Sequence, residues 1–529
     1  MKPNIFFLTL LGLLLVNPFI SAQDQDNEQE FVVVYSPKKL VLDPLHIYTT
    51  MESELSTALY EGLLTYHPFT LAPIPGVAGR WEEADNGRIY RFYLREDALY
   101  SNGDPVNAGN FKDSWLRILD PGANAEYSFL FDVIQGARAY RMGENPELGI
   151  RVISEKILEV ELEKPASHFL KLLCHLSFVP IHPNYLNKKN WDSAQSFVSN
   201  GPFYIVQRSD RELILRKNNL YWDRKNVEID KIRVRFMEDA AEISRDYNQG
   251  LIDWANNWET ALLEDRAKIV FNPMFATSYF YIVCAHPPWD DARVRRALAL
   301  LTPWEEIRAN QLLFATSRLI PPIPAYPEVE GIVKGDPNQA QSLLEEAGFP
   351  AGRGLPPFII KVAQDSESEQ IARVMAESWR EQVALEVRII TFPYDQYLEE
   401  VKKDDYMMGS VTWIGDYADP LTFLQMWMES SNLNDARFSD PEFDRLIDAS
   451  LSEEGVARYE CLSQAEQILL SGAVVLPINH TPAFNLIDLE QVEGWFPNVL
   501  NIHPFKYIRF KAYSLPPGVA LIERRTAGF

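Results

Sequence analysis

Residues 357–391 constrain the fold more than any other stretch of the chain. Pro357 to Val362 is apolar and strand-like, Glu369 to Val383 carries apolar residues at helical spacing, and Glu386 to Thr391 reads as a second strand. Strand, helix and strand in succession make a unit of an α/β fold. The alternation continues on both sides. Phe31 to Tyr35 is a short apolar strand, and Glu52 to Leu64 sets Leu55, Leu59 and Leu63 on a helical face. Arg88 to Leu94 alternates as a strand, and Asn107 to Leu119 is an amphipathic helix carrying Phe111, Trp115 and Leu119. Lys156 to Leu162 is another strand, followed by Pro165 and a helix; Asn200 to Phe236 is rich in hairpin signals. Tyr279 to Cys284 is a strand that precedes a turn and the helix Arg293 to Leu301, and Gln339 to Ala347 is a helix stopped by Gly348. With 529 residues, 47% of them hydrophobic, the chain is too long for one ordinary domain and can bury a large core.

The first residues indicate where the protein works. Lys2 supplies a positive charge, Ile5 to Val16 is apolar apart from Thr9 and Gly12, and Pro18 and Ser21-Ala22 precede the polar run Gln23 to Glu30. This is the pattern of a secretory signal peptide over residues 1–22, with a core too short to span a bilayer comfortably. N-terminal sequencing of exported protein is expected to begin near Gln23; retention of Met1 would contradict the assignment. No cysteine stands at the junction to carry a lipid anchor, so a periplasmic or otherwise extracytoplasmic protein is expected. Cys174, Cys284 and Cys461 lie far apart, match no metal-binding spacing and cannot all pair with one another. The net charge of −24 argues against a nucleic-acid partner, since phosphate binding needs clustered Lys and Arg.

The apolar run Met407, Met408, Val411, Trp413 and Ile414 reads as a strand that stops at Gly415, Asp416 and Pro420. A carboxylate at the end of a buried strand is costly unless donors or a cation satisfy it. Two readings stand. Asp416 caps the next segment, Leu421 to Met428, or it faces a cleft and receives a cationic ligand. Trp413 likewise reads as core packing or as the wall of a pocket.

Motifs of enzymes are missing: there is no His-Glu-x-x-His, no Gly-x-Ser-x-Gly, no phosphate-binding loop and no dinucleotide glycine pattern. His168, His175 and His182 recur every seven residues, but Pro180 and Pro183 interrupt any helix there, so they read as separate structural histidines rather than a metal site. No metal and no cofactor are expected. A pair of carboxylates acting as a secreted hydrolase has no fixed spacing, and nothing selects two of them here.

Several blocks together resemble the extracytoplasmic solute-binding proteins of ABC transporters that take oligopeptides and dipeptides. They are Leu42-Asp-Pro44 with Tyr60-Glu-Gly-Leu-Leu64, Tyr100 to Asn107 with Phe111 to Trp115, Asn200-Gly-Pro-Phe203 with Asn219 to Trp222, Trp289 to Leu298, Ala340 to Phe349, and Trp413 to Pro420. The blocks occur in the family's order over nearly the whole mature chain. The resemblance implies a two-lobed periplasmic-binding-protein-like fold with an extra subdomain in the first lobe and a hinge between lobes. The expected first lobe is residues 23–66, 191–272 and 484–529, the extra subdomain 67–190, and the second lobe 273–483. It implies capture of a peptide and its delivery to an ABC permease by a monomer, without covalent chemistry. In this picture Asp416 receives the peptide's ammonium group. Thr412 and Ile414 offer backbone groups to an extended peptide, Trp413 and Tyr417 shape side-chain pockets, and Tyr48, Thr49 and Thr50 form the opposing edge. Relatives of fixed ligand length place a cation where the peptide's carboxylate falls. Ser410 stands at the corresponding strand position here and Ser366 to Glu369 is acidic or neutral, so no partner for the carboxylate is apparent, and Arg373 reads as a surface residue. The same fold carrying an oligosaccharide, nickel or haem is the alternative within the family.

Overall fold

The computed structural model describes residues 28–309 and 314–511; the expected signal peptide and its cleavage site lie outside them. Two large sheets organise the chain. The first has seven strands in the order Ile269–Asn272, Ala483–Ile487, Trp254–Ala255, Glu30–Tyr35, Lys231–Phe236, Glu212–Lys217 and Phe203–Arg208. At its centre Glu30–Tyr35 runs parallel to both neighbours. That explains its unbroken valines, because a central strand of such a sheet is covered on both faces. The second has five strands in the order Val387–Phe392, Phe358–Ala363, Met408–Ile414, Ala276–Ile282 and Val475–Asn479. Phe358–Ala363 and Val387–Phe392 pair in parallel around the helix Ser366–Val383, the crossover read from the sequence. A smaller antiparallel sheet of Ala78–Ala84, Ile89–Leu94, Ile157–Glu161 and Ile150–Ser154 is inserted in sequence between the strands Glu30–Tyr35 and Phe203–Arg208 of the first sheet. Ile89–Leu94 alternates buried and less buried side chains, as a sheet covered on one face requires.

The cores follow the sheets. Phe31, Val33, Leu55, Phe203, Val234 and Trp254 pack together under the first sheet, and Ile282, Ile360, Trp379 and Met408 under the second. A third core joins the small sheet to the second lobe, running from Phe92, Trp115 and Leu158 to Tyr279, Trp413 and Trp427. The chain is thus a two-lobed α/β protein. The helix Ala108–Leu119 shows how local sequence and packing agree. Asn107 and Asn110 cap its start reciprocally at 3.1 and 2.9 Å, and Phe111, Trp115, Ile118 and Leu119 are buried at helical spacing. Arg293 pairs with Asp291 at 2.6 Å, whereas Arg295 meets no carboxylate among the described residues. It donates to the carbonyls of Trp289, Asp290 and Gly472 at 2.8, 2.8 and 3.0 Å, which ties the helix start to the turn after Gly455–Ser471. The three cysteines are free thiols.

Candidate functional site

A cleft of about 340 Å³ opens between the carboxyl end of the first sheet and the edge of strand Met408–Ile414. Thr412, Trp413, Ile414 and Asp416 line it from one side and Tyr48, Thr49 and Thr50 from the other. The strand edge is geometrically open. Ser410 donates its amide to the Tyr397 hydroxyl at 2.9 Å, and its carbonyl accepts from the same hydroxyl at 2.6 Å. An amide has one proton, so Ser410 faces away from the neighbouring strand Ala276–Ile282. In an antiparallel ladder that orientation alternates, so Thr412 and Ile414 face the same open side. The strand on that side, Phe358–Ala363, pairs with this one at Ile360 and Met408, where the Met407 amide donates to the Ile359 carbonyl at 2.8 Å, at the far end from Thr412 and Ile414.

The strand ends because the chain must turn in a tight space. A Cβ on Gly415 would lie 2.7 Å from the Phe275 ring and 2.9 Å from the Thr422 methyl group. The turn delivers Asp416 to the cleft with a side chain only 7% exposed. One carboxylate oxygen accepts the Thr422 hydroxyl at 3.0 Å, and that hydroxyl accepts the Asp416 amide at 2.9 Å. The Tyr66 hydroxyl donates to the Asp416 carbonyl at 3.2 Å. Among the described residues no lysine or arginine pairs with the carboxylate; the nearest basic nitrogen is His175 Nε2 at 3.9 Å. Burial pushes the His175 pKa down to about 3, so the ring is neutral. Its Nδ1 accepts the Ser177 amide at 3.3 Å, which leaves the proton on Nε2, facing Asp416. Burial also pushes the Asp416 carboxyl up to about 7, with the Thr422 and Tyr127 hydroxyls opposing it. The cleft therefore holds a desolvated carboxylate that has hydroxyl donors and, among the described residues, no counter-charge.

That arrangement has a pH signature. The folded protein holds the Asp416 proton more tightly than an unfolded chain, whose carboxyl titrates near 4. The contribution of Asp416 to the stability of the empty protein therefore falls as pH rises from about 4 to about 7, because the unfolded state releases the proton first. Asp416→Asn cannot ionise. Its melting temperature is expected to exceed that of the unaltered empty protein at pH 8 and to match it near pH 4. An equal difference at both pH values would contradict a raised Asp416.

The capping role read for Asp416 belongs to Asp419, which accepts the Leu421 amide at 3.0 Å. Asp419 is itself buried and held by Arg458 through two bonds of 2.7 and 2.9 Å. The other residues on the motif divide. Trp413 is 4% exposed, donates to the Thr422 carbonyl at 3.1 Å and tilts against Tyr48 at 6.4 Å, so it is both core and cleft wall. Tyr417 is not a lining residue: it is fully buried and stacks on His168 at 6.0 Å. Thr49 spends its hydroxyl as the cap of helix Thr50–Leu59, where Glu52 N donates to it at 3.4 Å, while Thr50 is exposed. The histidines do not share one role either. His182 bonds Asp104 at 2.9 Å, whereas His175 lines the cleft beside Asp416, which corrects its reading as scaffold alone. Arg373 is on an exposed helix face beside Glu369, away from the cleft.

Burial of a carboxylate is not by itself a site. Glu466 is also pushed up to about 7 by burial, but it lies outside the cleft and accepts the Leu319 and Ile320 amides at 2.9 and 3.0 Å. The sequence blocks around the cleft floor converge. Asn200 bonds the Glu61 carbonyl at 2.8 Å, and Trp222 and Lys506 reach the Glu61 carboxylate at 2.5 and 3.1 Å. Among the described residues no cluster of His, Cys, Asp and Glu could hold a metal ion.

Known proteins share this architecture. A family model described as bacterial extracellular solute-binding proteins, family 5 middle, matches residues 72–435. The periplasmic oligopeptide-binding protein OppA of Salmonella typhimurium is 29% identical over 500 residues, 89% of this chain and 89% of its own. The dipeptide-binding protein DppE of Bacillus subtilis is 27% identical over 467 residues, 83% of each chain. Among solved structures, the periplasmic oligopeptide-binding protein OppAIV of Borrelia burgdorferi superposes with a TM-score of 0.82 at 26% identity, covering 92% of this chain and 100% of that one.

Proposed function

The chain belongs to the bacterial extracellular solute-binding proteins of family 5, and from that membership we propose that it captures peptides outside the cytoplasmic membrane and delivers them to the permease of an ABC transporter. The observation that carries this reading is Asp416: a carboxylate 7% exposed, without a cationic partner among the described residues, at the end of a strand whose edge is open. A peptide's ammonium group supplies the missing charge, and its backbone supplies the missing strand, as in other cases where an extended peptide augments a sheet. Thr412 and Ile414 then bond the peptide backbone, Trp413 and Tyr48 wall its side chains, and Thr49 and Thr50 close the cleft from the first lobe. The names of the relatives, an oligopeptide- and a dipeptide-binding protein, support the ligand class.

The lobes are residues 23–66, 191–272 and 484–529 for the first, with 67–190 as its extra subdomain, and 273–483 for the second. The division is supported by the sheets: Ile269–Asn272 pairs with Ala483–Ile487 in one, and the next strand, Ala276–Ile282, belongs to the other. The two chain crossings near residues 273 and 483 are the hinge, and closure about it encloses the ligand. The protein acts as an exported monomer. Mass spectrometry of small molecules released on denaturing the purified protein tests the function. Peptide masses are the expected result. Glycan masses, haem or nickel without peptides would overturn it.

A further inference from the structure

The cleft has a second end, and a cation stands there. Strand Glu30–Tyr35 runs parallel to both Lys231–Phe236 and Trp254–Ala255, so their carboxyl ends open together. Ser36, Lys38 and Asn256, in the segments that leave these ends, line the cleft. This is where open α/β sheets bind ligands. The Lys38 side chain is exposed, and its ammonium lies 4.1 Å from the centroid of the Tyr394 ring, another lining residue. Asp395 and Glu52 are the carboxylates that act on Lys38, yet neither forms an ion pair with it. Both are engaged by backbone. Asp395 accepts the Lys39 amide at 3.2 Å, and Glu52 accepts the amides of Val41, Tyr48 and Thr49 at 2.8, 3.2 and 3.0 Å. The cleft's other lysine, Lys506, is buried and paired with Glu61 at 3.1 Å. Among the described lining residues, Lys38 is the lysine that forms no ion pair.

Its position along the cleft sets a length. Tyr394 is one helical turn before Tyr397, whose hydroxyl holds Ser410. Ser410 precedes Ile414, the last residue of the strand, by four residues, so at about 3.3 Å per residue the open edge spans ~13 Å before the turn that delivers Asp416. An extended peptide of roughly four residues covers that edge. We infer that Lys38 receives the terminal carboxylate of the peptide whose ammonium Asp416 holds, so that the cleft selects short peptides with both ends free. This inference rests on the peptide reading above, and it supplies from the first lobe the carboxylate partner that the Met408–Ile414 strand lacks.

The test uses the full-length mature protein, the variant Lys38→Met, and alanine peptides of three to six residues, each as free acid and as C-terminal amide with a free N-terminus. Methionine keeps the stem over Tyr394 and removes the charge. Calorimetry is expected to show the unaltered protein preferring acid over amide by about tenfold or more at its best length, the scale of a hydrogen bond to a charged group. Lys38→Met is expected to lose that preference while binding the amide as the unaltered protein does; unchanged amide binding also shows that the variant is folded. Survival of the preference in Lys38→Met, or its absence from the unaltered protein at every length, would overturn the inference and leave the peptide reading standing. Failure of the unaltered protein to bind any of the peptides, acid or amide, would overturn both.

Discussion

Arg458→Met is expected to destabilise the protein by about 3–5 kcal/mol, the cost of breaking a buried ion pair by removing one partner. Arg458 and Asp419 are 6% and 9% exposed and bond through two contacts of 2.7 and 2.9 Å. Burial alone would raise the Asp419 carboxyl, but the Arg458 hydrogen bonds and charge outweigh it and hold the group below the usual carboxylate range. A depressed carboxylate contributes stability above its unfolded pKa of about 4 and loses it as pH falls through the folded value. In Arg458→Met the charge remains buried without its partner at pH 7, and protonation relieves it in acid. The loss of melting temperature is therefore expected to be largest near neutrality and to shrink toward pH 4. Adding Asp419→Asn to Arg458→Met is expected to recover part of the loss at pH 7, because two contacting residues do not act additively. A melting temperature unchanged by Arg458→Met would show that the pair does not hold the motif.

The two aspartates of one short motif thus divide the work. Asp419 has a buried arginine and fixes the turn; Asp416, three residues earlier, has hydroxyl donors and, among the described residues, no cation. Composition cannot tell them apart, since both follow the same apolar strand. Their partners come from residues remote in sequence: Arg458 from the helix Gly455–Ser471, and His175 and Tyr127 from the subdomain.

The alternation of strands and helices was legible because it depends on local spacing. The parallel pair around Ser366–Val383 and the capped helix Ala108–Leu119 both follow from residues within a few positions of one another. The placement of Asp416 at a strand end was legible for the same reason. What local pattern could not carry is contact across the chain. Tyr417 has the composition of a pocket wall, yet the turn at Gly415 sends it into the core against His168. His175 reads as scaffold, because the prolines that break its helix say nothing about which loop faces a cleft. Lys38 follows a short strand with no signal around it, and only the parallel arrangement of three strand ends brings it to the cleft. The blocks Tyr60-Glu-Gly, Asn200-Gly-Pro and Tyr221-Trp222 do carry a signal, that of convergence on Glu61 at the cleft floor.

Asp416→Asn is expected to weaken binding of peptides with a free N-terminus by roughly 1.5–3 kcal/mol, the scale of a hydrogen bond between charged groups. The substitution keeps the shape of the side chain and its bond to Thr422 and removes the one charge that an ammonium group would meet. In the empty protein the Asp416 carboxyl lies near 7. Binding of an ammonium needs the ionised form, so affinity of the unaltered protein is expected to rise with pH between about 5 and 7 and the variant to lose that dependence. An N-acetylated peptide has no ammonium. It is expected to bind the unaltered protein poorly and to lose little more on substitution, because the two changes remove the same interaction. Calorimetry with free and acetylated forms of one peptide, on the unaltered protein and on Asp416→Asn, tests this most directly. A large loss for the free peptide with little further loss for the acetylated one is the predicted result; equal losses for both peptides would contradict Asp416 as the residue that holds the ligand.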